Sequence, residues 1–234
     1  MTKQTYVISL GGSLIAPEGG IDWKFLKKFR QLIMAAVKRG NRFVIITGGG
    51  ITARSYQAAA AKVIRLTRDD RDWLGIHATR LNAHLIKTIF RTVAHPRINK
   101  NPRTQEDLAK HFEKGEGVML AAGWRPGWST DYVAAILAGR LGATTIINLS
   151  NIDFVYDKDP NKYKNARAIK NISWPDFRRI VGRRWDPGLS APFDPVASTY
   201  AAKLGLRVFI INGRKLDNLQ KCLRGEKFQG TTIG

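Results

Sequence analysis

The chain has 234 residues, 44% of them hydrophobic, which is ordinary for a globular protein and enough to bury a sizeable core. Its 39 Lys and Arg outnumber 18 Asp and Glu to give a formal net charge of +21, so charge alone favours acidic partners: nucleotides, nucleic acids or anionic membranes. The single cysteine, Cys222, excludes an internal disulfide and a cysteine-based zinc site within one chain, and no apolar run approaches the ~18 to 20 residues that span a bilayer.

The segment YVISL near the start reads as a buried strand, reached without the basic and long apolar regions of a secretory leader. A soluble cytoplasmic protein in a reducing compartment is expected. The strand ends at Gly11-Gly12-Ser13, and a helix is expected over 23–39. There Phe25, Phe29, Leu32, Ile33, Ala36 and Val37 recur every three or four residues, with Asp22 as N-cap and Gly40 as stop. A second strand over 43–46 runs into Gly48-Gly49-Gly50 and an alanine-rich helix over 52–61.

Three consecutive glycines carry an entropic cost, so the bare backbone must serve a purpose. At a strand-to-helix turn, free N–H groups and the helix dipole favour a phosphate. A tight turn packed under a helix fits equally well, and the motif alone does not choose between them.

Another helix is expected over 73–91, followed by an irregular, charged stretch over 94–116 that holds Pro96, Pro102 and a short helix at 105–113. That stretch is assigned no catalytic role. A strand over 117–122 leads through GWRPGWSTD into a helix at 131–140, and a buried strand over 144–149 runs into NIDFVYDKDP, where Pro160 bars an immediate helix. A short helix should start near Pro175, placed at the first helical position. Then come a helix over 195–203, a strand over 207–211, a helix over 215–224, and TTI as an edge strand or hairpin. Alternating strands and helices without repeat or linker predict one α/β domain with helices on both sheet faces.

Three glycine-bearing loops follow three buried strands, at 11–13, 48–50 and 123–131. In an open α/β sheet such loops converge on a ligand crevice, and these would surround a polyanion with backbone donors. Neither GxxxxGK[ST] nor GxGxxG is present, which disfavours the Walker and dinucleotide readings. Of the histidines His77, His84, His95 and His111, only the first two share an expected helix, so no metal site is assigned. The basic residues are scattered and no nucleic-acid motif is recognisable; nucleic-acid contact is permitted but not favoured.

Taken in order, ISLGGSL, ITGGGITAR, DWLGIHATRLNA, AAGWRPGWSTDYVAAILA, NIDFVYDKDP, FDPVA and VFIING resemble the amino acid kinase superfamily, and within it the archaeal-type uridylate (UMP) kinases. The resemblance covers nearly the whole chain. It implies a three-layer αβα sandwich of the amino acid kinase type with a mostly parallel central sheet. The N-terminal part would bind the acceptor, and roughly 145–234 would bind ATP. The implied activity is Mg²⁺-dependent transfer of the ATP γ-phosphoryl group to UMP, with Mg²⁺ held mainly through nucleotide phosphates, in a homohexamer without membrane attachment.

The resemblance also implies roles. Gly49, Gly50 and Arg54 would hold the acceptor phosphate, Asp72 and Gly75 would lie by the ribose, and Trp124, Ser129 and Thr130 by the uridine. Gly11, Gly12 and Ser13 would line the path of the transferred group. Ser13, Arg54 and Asp131 would form the reacting centre, Asp131 organising cations rather than removing a proton. Asn151, Asp153, Tyr156, Asp159 and Pro160 would border adenine and ribose. Read in isolation, Asp131 could equally cap a helix, and Asp153 and Asp159 could be turn residues. Trp124 and Trp128 fit core packing, an interface or a stacking platform.

Four positions depart from the family pattern. Ser9 and Thr199 stand where relatives place lysines, Asp186-Pro187-Gly188 replaces a Lys-Ala-Gly turn, and Phe154 replaces a loop glycine. Positive charge expected around ATP is therefore missing, and Arg54, Lys158, Lys162, Arg183 and Arg184 are candidate substitutes. The alternatives are another acceptor within the superfamily, or a catalytically weak nucleotide-binding, sensing or RNA-associated protein.

Overall fold

In the computed structural model, residues 4–113, 115–160, 162–182 and 191–234 are described. The chain opens with β1 (Thr5–Leu10), a single turn α1 (Gly12–Ile15) and α2 (Trp23–Lys38), capped as expected by the Asp22 side chain on the Phe25 N–H. Next come β2 (Arg42–Thr47), α3 (Gly50–Val63) and α4 (Arg68–Ile89), then α5 (Leu108–Glu113), β3 (Val118–Ala121) and α6 (Thr130–Arg140). The remainder is β4 (Thr145–Ser150), a two-stranded hairpin of β5 (Val155–Tyr156) and β6 (Ala168–Ile169), then β7 (Asn171–Ile172), α7 (Trp174–Val181), α8 (Pro195–Lys203), β8 (Arg207–Asn212), α9 (Leu216–Leu223) and β9 (Thr231–Ile233).

The main sheet has the order β3-β2-β1-β4-β8-β9-β7, and its first five members run parallel. Successive side chains point to opposite faces, so Val7 and Ile8, or Val44 and Ile45, enter different cores. Ile8, Leu10 and Ile45 pack with Phe25, Phe29 and Ile33 of α2 and Leu219 of α9. Val7, Val44 and Ile146 pack with α6, which is buried from Tyr132 to Ala138, and with Phe177 and Ala201. Helices thus cover both faces, which is why these strands are continuously apolar. The α/β class and the mostly parallel sheet agree with the expectation.

Several boundaries differ from it. Helix α4 starts five residues before Trp73 because Thr67 and Asp70 form a reciprocal capping box. Pro175 is the second residue of α7, behind the Ser173 cap. TTI is not at an edge: β9 pairs antiparallel with β8 on one side and parallel with the two residues of β7 on the other. The irregular 94–116 stretch lies along β3, bridging to it at Ala94 and Asn99. Among the described residues no helix is long and apolar enough to cross a membrane.

Candidate active site

The parallel strands all end on one side of the sheet, where the turns after β1, β2, β3 and β4 meet. The nearest neighbour of the triple glycine is the other glycine turn. A Cβ on Gly12 would fall 2.0 Å from the Gly50 nitrogen and 2.7 Å from the carbonyl carbons of Gly48 and Gly49. Gly50 itself has φ +63°, a left-handed conformation suited to glycine, and its Cβ would lie 2.3 Å from the Gly12 oxygen. The Gly48 N–H donates to the Leu10 carbonyl at 2.9 Å, so it is not one of the donors open to a ligand, contrary to the phosphate reading of all three glycines. Gly11 likewise donates to Leu149 at 2.8 Å.

Beside this contact lies a cavity of about 290 Å³. Of the expected residues it is lined by Gly49, Gly50, Arg54, Asp72, Gly75, Ser129, Thr130 and Asp131. Trp128, one of the two candidate stacking tryptophans, also lines it, as do Arg71, Gln57, Thr79 and Asp194, which were not anticipated. Trp124 does not: its ring sits under Arg125, with the guanidinium carbon 4.3 Å from the centroid, while Trp128 stacks on Tyr132 at 4.2 Å and faces the cavity. The choice between the two tryptophans depends on loop geometry that spacing does not reveal.

Helix α4 holds the walls in place. Asn82 Nδ2 donates to the carbonyls of Gly48 and Gly49 at 2.8 and 3.2 Å, fixing the glycine turn. Thr79 Oγ1 accepts the Gly123 N–H at 2.8 Å and donates to Ile76, and Asp72 Oδ2 accepts the Gly127 N–H at 2.8 Å. Arg80 donates to the carbonyls of Gly123 and Trp124. One helix therefore sets the distance between the glycine turn and the 123–130 loop. Burial pushes the Asp72 carboxyl up and Arg80 down, with the Gly127 hydrogen bond opposing the first shift.

At the cavity floor two carboxylates meet. Asp131, in the first turn of α6, accepts from Ser9 Oγ at 2.9 Å, from Asn148 Nδ2 at 3.4 Å and, through Oδ2, from the Asp194 N–H at 3.1 Å. Burial, and then the Asp194 charge, push Asp131 up to about 7 despite those hydrogen bonds. Asp194 caps α8 through Ala197 and is itself raised, chiefly by burial, with the Ala197 N–H and the Ser129 hydroxyl opposing the shift. Two helix N-termini favour the charged forms here, yet desolvation wins.

The amino acid kinase family model matches residues 4–212. The chain belongs to the amino acid kinase family. It is 32% identical to the uridylate kinase of Hyperthermus butylicus over the whole length of both chains. With that of Thermoplasma acidophilum it shares 35% identity over 99% of this chain and 97% of the relative. The crystal structure of uridylate kinase from Archaeoglobus fulgidus superposes with a TM-score of 0.79 at 28% identity, covering both chains completely.

For an amino acid kinase the second set of expected residues is placed differently from the first. Gly11, Gly12, Ser13, Asn151, Asp153, Tyr156, Asp159 and Pro160 do not line the cavity; they occupy the adjoining turns after β1 and β4 and the β5 hairpin. The Asp153 carboxylate accepts from Lys215 Nζ at 2.7 Å and Asn212 Nδ2 at 3.0 Å, and the Lys215 contact holds it below the usual range. That is a loop clasp joining the turns after β4 and β8. Asp159 begins a turn through its carbonyl, which accepts from Lys162 and Tyr163. Among the substitute cations Arg54 reaches the cavity and Lys158 lies over the Tyr163 ring at 5.5 Å. Arg183, Arg184 and the Asp186-Pro187-Gly188 turn lie outside the described residues.

Proposed function

We propose that this chain transfers the γ-phosphoryl group of ATP to UMP, giving UDP and ADP. The observation that carries the reading is the cavity itself, walled by Gly49, Gly50, Arg54 and Arg71 on one side and Trp128, Ser129 and Thr130 on the other. The full-length relatives named uridylate kinases support the choice of acceptor.

Phosphoryl transfer asks the protein mainly to position the reactants and to neutralise charge. In this reading Arg54, exposed in the first turns of α3, takes the acceptor phosphate as a planar multi-donor cation, helped by the helix N-terminus. Asp72 accepts from a ribose hydroxyl, Gly75 leaves room beside it, and Trp128 offers a face to the base. Gly11, Gly12 and Ser13 border the path between acceptor and donor. Residues 145–234 receive ATP, with Asn151, Tyr156, Asp159 and Pro160 around adenine and ribose and the Asp153–Lys215 clasp holding that loop.

Magnesium would neutralise the donor phosphates. The chain fits it: Asp131 and Asp194 are hard oxygen donors that line the same cavity. We extend the reading to a cytoplasmic homohexamer, which light scattering on the purified protein tests. The deciding assay is ADP release with ATP and Mg²⁺ across UMP, CMP, AMP, GMP and no acceptor, with UDP identified directly. UMP-dependent turnover is expected; turnover with another acceptor only, or none, overturns it.

A second reading, nucleotide binding with little turnover, is favoured by the two departures seen directly. Ser9 meets Asp131 with a hydroxyl, and Thr199 bonds back to the Pro195 carbonyl at 3.1 Å, so neither brings charge. The same assay, run beside UMP binding, separates the two.

A further inference from the structure

The formal charge of +21 is unevenly spread over the fold. Between Asp22 and Asp69 the chain holds no acidic residue, and α2 lies wholly inside that interval. Its apolar positions Phe25, Leu26, Phe29, Ile33 and Ala36 are buried in the core. Lys24, Lys27, Lys28, Lys38 and Arg39 are exposed, at the spacings that line up along the opposite side of a helix. None of the ion pairs among the described residues involves a lysine of α2.

Folding adds α9 to this stripe. Arg214, just ahead of α9, reaches the α2 cap Asp22 at 3.8 Å. At the far end Tyr6 donates to the Leu223 carbonyl of α9 at 2.9 Å, and its hydroxyl, pushed up chiefly by burial, is drawn back down by the Arg39 charge. The two helices therefore run side by side in the same direction, packed on one core, and exposed Lys221, Arg224 and Lys227 join the cations of α2. Asp217 is the one acid within α9, and Glu226 beyond it is taken up by Arg224 at 3.8 Å. On the opposite layer each of α6, α7 and α8 has an acidic residue in its first turn or at its cap.

The aromatic neighbour narrows the class of polyanion. Trp23, 63% exposed at the first position of α2, stands at the head of the stripe with Lys24 Nζ 5.8 Å from its ring centre. An anionic bilayer is held by an inserted apolar face, and that of α2 is spent on the core, leaving only Ile21 and Trp23 outside. A single strand of nucleic acid needs instead a line of cations for its phosphates and a ring on which an unstacked base can lie. At 1.5 Å per residue α2 offers such a line about 24 Å long. We propose that the α2–α9 layer binds single-stranded nucleic acid, with phosphates along Lys24, Lys27, Lys28 and Lys38, Lys221 and Arg224 beside them, and one base on Trp23. The proposal uses no residue of the cavity and does not depend on UMP being the acceptor.

The test uses the whole chain and a 3′-fluorescein-labelled oligocytidylate RNA of about 20 nucleotides, with a 5′-hydroxyl so that no terminal phosphate is offered to the cavity. Fluorescence anisotropy gives its affinity at several salt concentrations, and unfolding curves confirm that every variant is folded. Each phosphate neutralised on a single strand contributes about −0.7 to the slope of log affinity against log salt. K24Q/K27Q/K28Q should therefore flatten the slope by about 2 and weaken binding about tenfold or more near 0.1 M salt. W23A should weaken it about fivefold or more at an unchanged slope. K62Q/R65Q/K203Q, which removes the same charge from exposed positions near the ends of α3 and α8, should change it by less than about twofold, because salt screens charges that far from the strand. No binding near 0.1 M salt, equal weakening by this control, W23A binding as the wild type does, or an affinity for phosphatidylserine vesicles in place of the RNA overturns the proposal. None of these results bears on turnover of UMP, which is assayed separately.

Discussion

Replacing Asp131 with asparagine should shift the stability of this protein increasingly in the variant's favour as pH rises. In the folded chain burial and the Asp194 charge hold the carboxyl at about 7, against the usual 3.8. Between these values the unfolded chain has released a proton that the folded chain still binds, so stability falls as pH rises across the window and levels off above about 7. The whole displacement corresponds to about 4 kcal/mol, of which about 2 to 3 kcal/mol is lost between pH 5 and 8. The asparagine of D131N does not titrate, and it relieves the charge on Asp194, which acts in the same direction. The altered hydrogen bonds to Ser9, Asn148 and the Asp194 N–H shift stability by a pH-independent amount. The stability difference between variant and wild type should therefore grow by about 2 to 3 kcal/mol from pH 5 to 8, roughly 5 to 10 °C in Tm for a chain of this size. Urea or thermal unfolding with chelator present, at several pH values, measures it. A difference that is flat with pH, or shrinks, would refute the argument that desolvation dominates this site.

Arg54→Ala should raise the KM for UMP about tenfold or more, because a charge-assisted phosphate contact is lost; an unchanged KM in steady-state kinetics removes Arg54 from the site. Gly75→Ala should split stability from binding: alanine favours the helix interior by up to about 1 kcal/mol, and its Cβ meets only Gln57 Nε2 at 3.6 Å, yet it protrudes into the cavity and should weaken UMP binding in calorimetry. Gly12→Ala, by contrast, forces a methyl group against the Gly50 backbone nitrogen at 2.0 Å and should cost more than about 3 kcal/mol in unfolding experiments, whatever the ligand. Cys222 is buried, with its thiol pushed up to about 12, so its reaction with a thiol reagent should follow the unfolding rate and not thiol basicity.

The strands at 43–46 and 144–149 were legible because a sheet covered on both faces demands unbroken apolar runs, and the α2 helix because its apolar positions repeat along one side. Thr67-x-x-Asp70 carried the true start of α4 in its capping box, a signal present in the sequence but not read there. What stayed hidden depends on contacts far apart in the chain. Asp194 caps α8 just before Pro195; nothing local shows that it also faces Asp131, 63 residues away. The interior place of β9 depends on β7, two residues with no strand pattern of their own. For the site, the order of the motifs picked out Gly49, Gly50, Arg54, Asp72, Gly75, Ser129, Thr130 and Asp131, which the structure brings together around one cavity. Trp124 was not distinguishable from Trp128, since both flank the same proline and glycine.

The two glycine turns also bear on motion. With Gly12 and Gly50 in backbone contact, and Asn82 fastening the second turn to α4, the paired glycine turns beside the cavity are tied together as one plate. Any closing movement around a bound nucleotide must then come from the rim: Arg54 and Arg71 project exposed from α3 and α4, and can swing inward by changing rotamer while the plate stands still.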